Sequence, residues 1–164
     1  MKKLFLVAAF AMVSAFASAQ FAVGVHTLYG TDVSNLGIGV RARYDINEQF
    51  RLDGNFNYYF KKNNVEFWDI NANLHYLFNI TDRFDVYPLG GLGVVSAKSS
   101  YEYKNPVTNR WETISNSDTK LGFNLGGGVD FALTDDLYLN GEVKYQIVSG
   151  YNQAVMSAGI VYKF

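Results

Sequence analysis

Two histidines, His26 and His75, are the only imidazoles in this 164-residue chain, and they raise the first chemical question. An imidazole that activates a hydroxyl for acyl hydrolysis or transfer needs that hydroxyl and an orienting acid within hydrogen-bond reach. No serine lies two positions from either histidine, where a strand would place it on the same face. Both histidines therefore read as polar residues filling an interior. Cysteine is absent, which removes thiol nucleophiles, Cys-based zinc sites and disulfides. The sequence predicts no catalytic residue, no metal ligand set and no cofactor.

A second group of residues is ionic. Arg41 and Arg43, Arg51 and Asp53, and Glu142 and Lys144 are each two apart, while Asp69 and Asp130 stand among Asn and Gly. That spacing puts each pair on one face of a strand. A hairpin turning at 46–49 would bring Arg41 opposite Asp53, and Glu142 and Lys144 would face Gly and Asn on the preceding strand. Confined together, such charges either line a gated path for ions or protons, or pair into a rigid closed plug. A third group, Tyr101, Tyr103 and Trp111, flanks Asn105-Pro106-Val107-Thr108-Asn109, a strong turn signal. An extended hairpin there would offer an adhesive or partner-binding edge. A solvated loop is the other reading of the polar segment 97–119.

The elements that must position these groups are strands. Leu36, Ile38, Val40, Ala42 and Tyr44 alternate with Gly37, Gly39, Arg41, Arg43 and Asp45, and Phe50 to Phe60 repeats the pattern against Arg51 to Tyr59. The same alternation runs through 21–29, 68–78, 84–94, 121–131, 137–145 and 154–164, giving eight strands. Three related turns, Ile46-Asn47-Glu48-Gln49-Phe50, Ile80-Thr81-Asp82-Arg83-Phe84 and Leu133-Thr134-Asp135-Asp136-Leu137, alternate with longer connections at 30–35, 61–66, 97–119 and 148–153. Before them, Lys2 and Lys3 precede the apolar run Leu4 to Val13, and Ala17-Ser18-Ala19 forms a small-x-small site. Residues 1–19 thus read as a secretory signal peptide, leaving 20–164 as one domain. Without Lys2 and Lys3 the domain carries 12 basic against 15 acidic side chains, a net charge of −3, with no basic footprint for nucleic acid.

Alternation alone does not say whether the apolar face points into a core or out to lipid. A lipocalin-like barrel would turn it inward. Aromatics gathered at strand ends favour lipid: Tyr44, Phe50, Phe78, Phe84, Phe131, Tyr162 and Phe164 fall near the short turns, and Tyr29, Phe60, Trp68 and Tyr145 towards the longer connections. On the other face Arg and Lys roughly balance Asp and Glu, as a narrow lumen requires.

The last stretch, Ala154 to Phe164, ends an apolar face on Tyr162 and Phe164, which resembles the C-terminal assembly signal of bacterial outer-membrane β-barrels. With its eight alternating strands, the whole chain from 20 resembles the small outer-membrane β-barrel family, the OmpA-transmembrane, OmpX and opacity-like group. The resemblance implies an all-β, eight-stranded antiparallel up-and-down barrel in the bacterial outer membrane, with both termini periplasmic. Its surroundings would be outer-membrane lipid and lipopolysaccharide, its insertion would use the barrel assembly machinery, and an extracellular partner would meet 97–119. A non-enzymatic structural or surface-interaction role is the first expectation. A narrow porin-like channel is the alternative, and a lipid A-modifying enzyme, which the histidine surroundings disfavour, comes third.

Overall fold

The structure is a computed structural model that describes residues 20–32, 34–62, 65–104 and 111–164. The expected signal peptide, 1–19, lies outside the described residues. Nine strand segments follow one another: β1 (Phe21–Gly30), β2 (Asn35–Asp45), β3 (Phe50–Lys62), β4 (Val65–Tyr76), β5 (Phe78–Thr81), β6 (Phe84–Lys104), β7 (Trp111–Ala132), β8 (Leu137–Val148) and β9 (Tyr151–Lys163). Segments β4 and β5 form one spanning strand interrupted at Leu77, whose N–H turns to the Gln49 carbonyl at 2.7 Å.

Each spanning strand pairs antiparallel with its sequence neighbours, β1 pairs with β9, and β4 pairs with β6. The result is a closed eight-stranded barrel. Closure gives each strand a hydrogen-bonded neighbour on both sides across the barrel wall, as a structure surrounded by hydrocarbon requires. The start of β1 and the end of β9 meet at the short-turn end, where the Phe164 N–H donates to the Phe21 carbonyl at 3.0 Å.

Burial follows the period of two. Along β2, Leu36, Ile38, Val40, Ala42 and Tyr44 are exposed, while Gly37, Gly39, Arg41 and Arg43 are buried. The other strands repeat this, so the large apolar residues cover the outside and the polar ones line the inside. A water-soluble barrel would reverse that arrangement, which excludes the lipocalin-like reading. At the short-turn end the outer aromatics touch: Phe50 meets Tyr76 edge-on at 5.2 Å, Tyr76 meets Phe78 at 4.9 Å, and Tyr162 meets Phe164 at 5.2 Å.

Two expectations need correction, and one open choice is decided. The first hairpin closes on Ile46 and Phe50, because the Asn47 side-chain oxygen takes the N–H groups of Gln49 and Phe50 at 2.9 and 2.8 Å. Arg43, not Arg41, is then opposite Asp53, and Arg41 is opposite Asn55. Next, most connections at the other end are short. Segments β8 and β9 are joined by Ser149 and Gly150 alone, with Gly150 at φ 97°, a conformation glycine enters freely. Finally, of the two readings of 97–119, the backbone takes the extended hairpin over most of the segment. Strand pairing continues without a break from Phe84↔Phe131 to Lys104↔Trp111, and only 105–110 lies outside the described residues.

Candidate functional site

Among the described residues eight charged side chains are buried: Arg41, Arg43, Arg51, Lys144, Asp53, Asp69, Asp130 and Glu142. Four cations and four anions make a neutral interior. These are the residues expected in a lumen charge network, and the barrel brings most of them into one cluster at the short-turn half.

The cluster is built from opposite walls. Arg43 on β2 donates from Nε to Asp53 on β3 at 3.1 Å and from Nη1 to both oxygens of Asp130 on β7 at 3.1 Å. In the closed order β2 and β7 are four spanning strands apart, so this guanidinium crosses the full lumen. Arg51 reaches the same Asp130 at 2.7 Å and Asp45 at 2.5 Å, and Lys163 holds the other oxygen of Asp45 at 2.9 Å. Arg41 Nη1 donates to Asn140 at 2.6 Å and to Glu142 at 3.2 Å, both on β8, and Arg41 Nε lies 3.9 Å from Asp53.

Tyr87, on β6, joins the two halves. Its hydroxyl accepts from Arg43 at 3.1 Å and Asn140 at 2.8 Å and donates to Glu142 at 3.2 Å. Space for the ring comes from Gly128 on the neighbouring strand, where a Cβ would collide with the phenol. His75 stacks on Tyr87 with centroids 4.4 Å apart and planes 8° apart.

Above this ionic layer lies an amide layer. Asp69 accepts from Asn57 at 2.6 Å, Asn71 at 2.5 Å and Tyr59 at 3.0 Å, so neutral donors rather than a cation hold its charge. Asn124 donates to both Asn71 and Asn73 at 2.9 Å, and Gln146 donates to Asn71 at 3.2 Å. Leu28, Tyr59, Val155 and Phe67 then form an apolar cap towards the far end. Ionic, amide and apolar layers in succession fill the cross-section of an eight-stranded barrel.

The histidines are structural members of this filling. His26 Nε2 donates to the Asn57 oxygen at 2.7 Å, and its Nδ1 accepts from Arg41 Nε at 3.4 Å. Neither ring nitrogen of His75 has a hydrogen-bond partner among the described residues, nor has Asn73 Nδ2 or the Gln153 oxygen. Lys144 is also distinct: among the described residues it makes no hydrogen bond or ion pair, although it is 3% exposed.

Sequence reading missed Tyr87, Asn140 and the amide layer as network members. Their inward placement is legible from alternation, and Asn55, Asn57, Asn71 and Asn73, each two apart beside Asp53 and Asp69, are the available signal. Tyr162 and Phe164 lie on the outer face, 45% and 51% exposed. The backbones of Tyr101, Tyr103 and Trp111 lie in the extended β6–β7 hairpin, opposite Ile114, Glu112 and Lys104 respectively.

Residues 4–164 match the family model described as outer membrane protein beta-barrel domain. No curated protein matches the chain. Three of the solved structures that share its fold illustrate the likeness. Ail, the attachment invasion locus protein of Yersinia pestis, is 18% identical with a TM-score of 0.62, over 88% of this chain and 97% of that one. Neisserial surface protein A is 18% identical with a TM-score of 0.63, over 90% and 98%. The N-terminal barrel domain of Pseudomonas aeruginosa OprF is 12% identical with a TM-score of 0.66, over 90% and 98%. At these identities the likeness concerns the fold.

Proposed function

We propose a role for this chain from the premise that it belongs to the outer membrane protein beta-barrel domain family and so resides in the bacterial outer membrane. It is a closed, non-enzymatic barrel that presents a surface-interaction hairpin to the outside, with both termini periplasmic. Lipid and lipopolysaccharide surround the apolar face, and the barrel assembly machinery reads the strand ending in Tyr162 and Phe164.

The carrying observation is the length of two strands. β6 and β7 have 21 and 22 residues, against 10 to 13 for β1, β2, β3, β8 and β9. A barrel wall ~25 Å tall needs about ten tilted residues per strand, so the excess stands outside the bilayer. The neighbour β4 accompanies β6 only to Ser99, and β8 accompanies β7 only to Gly122. Beyond those points a two-stranded ribbon projects alone. The filled lumen supports the same reading, since it leaves little passage for the narrow-channel alternative.

Two measurements on one variant test this. Replacing 100–112 by a short turn should leave the barrel folded, shown by a heat-dependent gel mobility shift, and abolish binding of the protein to cell surfaces. Undiminished binding by the trimmed barrel would end the surface-interaction reading. Steady conductance of the wild type in a planar bilayer would replace it with the channel.

A further inference from the structure

Within the ionic layer the charges are matched by direct contact: Arg41, Arg43 and Arg51 bond to Glu142, Asp53 and Asp130. Two buried charges stand outside that pairing. Asp69 is held by three neutral donors. Lys144, 3% exposed, makes no hydrogen bond or ion pair among the described residues. Glu142, two residues before it, does not serve as its counter-charge, because Glu142 Oε2 takes Arg41 and Tyr87 at 3.2 Å each. Burying an ammonium costs free energy unless an opposite charge comes with it. We infer that the lumen binds a chloride ion, held by the Lys144 ammonium and the Asn73 side-chain amide.

Register and glycines bring these two side chains to one stretch of wall. Asn73 on β4 is opposite Gly91 on β6, and Gly91 is opposite Asn124 on β7. The next inward residue on β7 is Gly126, which is opposite Lys144 on β8. Two positions without side chains therefore separate Asn73 from Lys144. Both residues lie against them: a Cβ on Gly91 would be 2.4 Å from Asn73 Oδ1, and one on Gly126 3.0 Å from the Lys144 Cβ. The donor balance here favours an acceptor. The Asn55 oxygen already accepts from Asn57 and Asn71, the Asn71 oxygen from Asn124 and Gln146, and the Asn73 oxygen from Asn124. Asn73 Nδ2 is buried without a partner among the described residues. The unpartnered Gln153 oxygen sits one inward step further along, opposite Gln146. A water placed between Lys144 and Asn73 would need acceptors for its own two protons, whereas an anion accepts only.

The test folds the barrel into lipid vesicles in sodium chloride or in sodium gluconate of equal ionic strength, gluconate being too bulky for the lumen. Once chloride exceeds its dissociation constant, each tenfold rise should increase the wild-type folding equilibrium constant about tenfold. Lys144→Met and the polar, uncharged Lys144→Gln should respond alike to the two salts. Comparing salts within each variant cancels the burial cost of the ammonium itself, and a heat-dependent mobility shift checks that each variant is folded. Crystals grown in sodium bromide should show bromine anomalous scattering beside Lys144 Nζ. No chloride response in the wild type, or an equal response in the variants, would overturn the inference and leave water as the partner of the ammonium. A bromine peak elsewhere in the lumen would overturn it too.

Discussion

Asp130 is the most heavily engaged carboxylate in the barrel, and Asp130→Asn tests whether the lumen is a dry plug. Its oxygens take bonds from Arg43, Arg51 and Asn140 at 2.7 to 3.1 Å, and the residue is 2% exposed. The amide has the same shape but no charge, so four buried cations would face three anions. Leaving a buried charge uncompensated costs about 3–5 kcal/mol. Arg43→Met should cost a similar amount, because it removes the cation that bridges Asp53 and Asp130 and leaves three buried cations against four anions. The double variant has three charges of each sign, so its loss should fall short of the sum by up to about 3 kcal/mol. Urea unfolding in phospholipid vesicles, followed by tryptophan fluorescence and by the folded gel band, measures all three. An Asp130→Asn loss below about 1 kcal/mol, the value of a solvated ion pair, would refute the reasoning. So would additive losses, because the charges would then sit in a water-filled channel.

Three further substitutions probe the same interior by the same unfolding assay. Lys144→Met removes a charge that has no ion pair or hydrogen bond among the described residues, on a side chain that is 3% exposed, and should leave stability within about 1 kcal/mol of wild type or raise it. His75→Phe keeps the stack on Tyr87 and removes two ring nitrogens without partners, so the variant should be as stable as wild type or more so. Gly159→Ala should destabilise by about 1–3 kcal/mol, because the added methyl would meet the Val25 carbonyl and the His26 backbone, neither of which can move aside.

Fold and facing were legible because lipid on one side and a polar lumen on the other impose the strongest period-two contrast a strand can carry. Where that contrast fades, so did the reading. Residues 96–104 and 111–120 are mostly polar at both alternating sets of positions, so alternation leaves an extended hairpin and a solvated loop equally open there. The Arg41–Asp53 register erred by two because the turn type, set by Asn47, decides which residues sit opposite each other. Alternation along 84–94 puts Tyr87 on the inner face, but nothing in a single strand says what it will meet on the far wall. That depends on the stagger between strands, which is a property of the closed barrel.

Closure by the last strand on the first has a kinetic consequence. Ala22 pairs with Lys163, and Arg43 meets Asp130, so neither the seam nor the neutral interior can form until nearly the whole chain is in place. Contacts so distant in sequence make folding slow. Meanwhile a partial sheet would expose open edges and bare guanidinium groups to hydrocarbon. Insertion and ring closure must therefore proceed together, and a mutant that delays the final pairing should accumulate outside the bilayer, where degradation and aggregation compete with assembly.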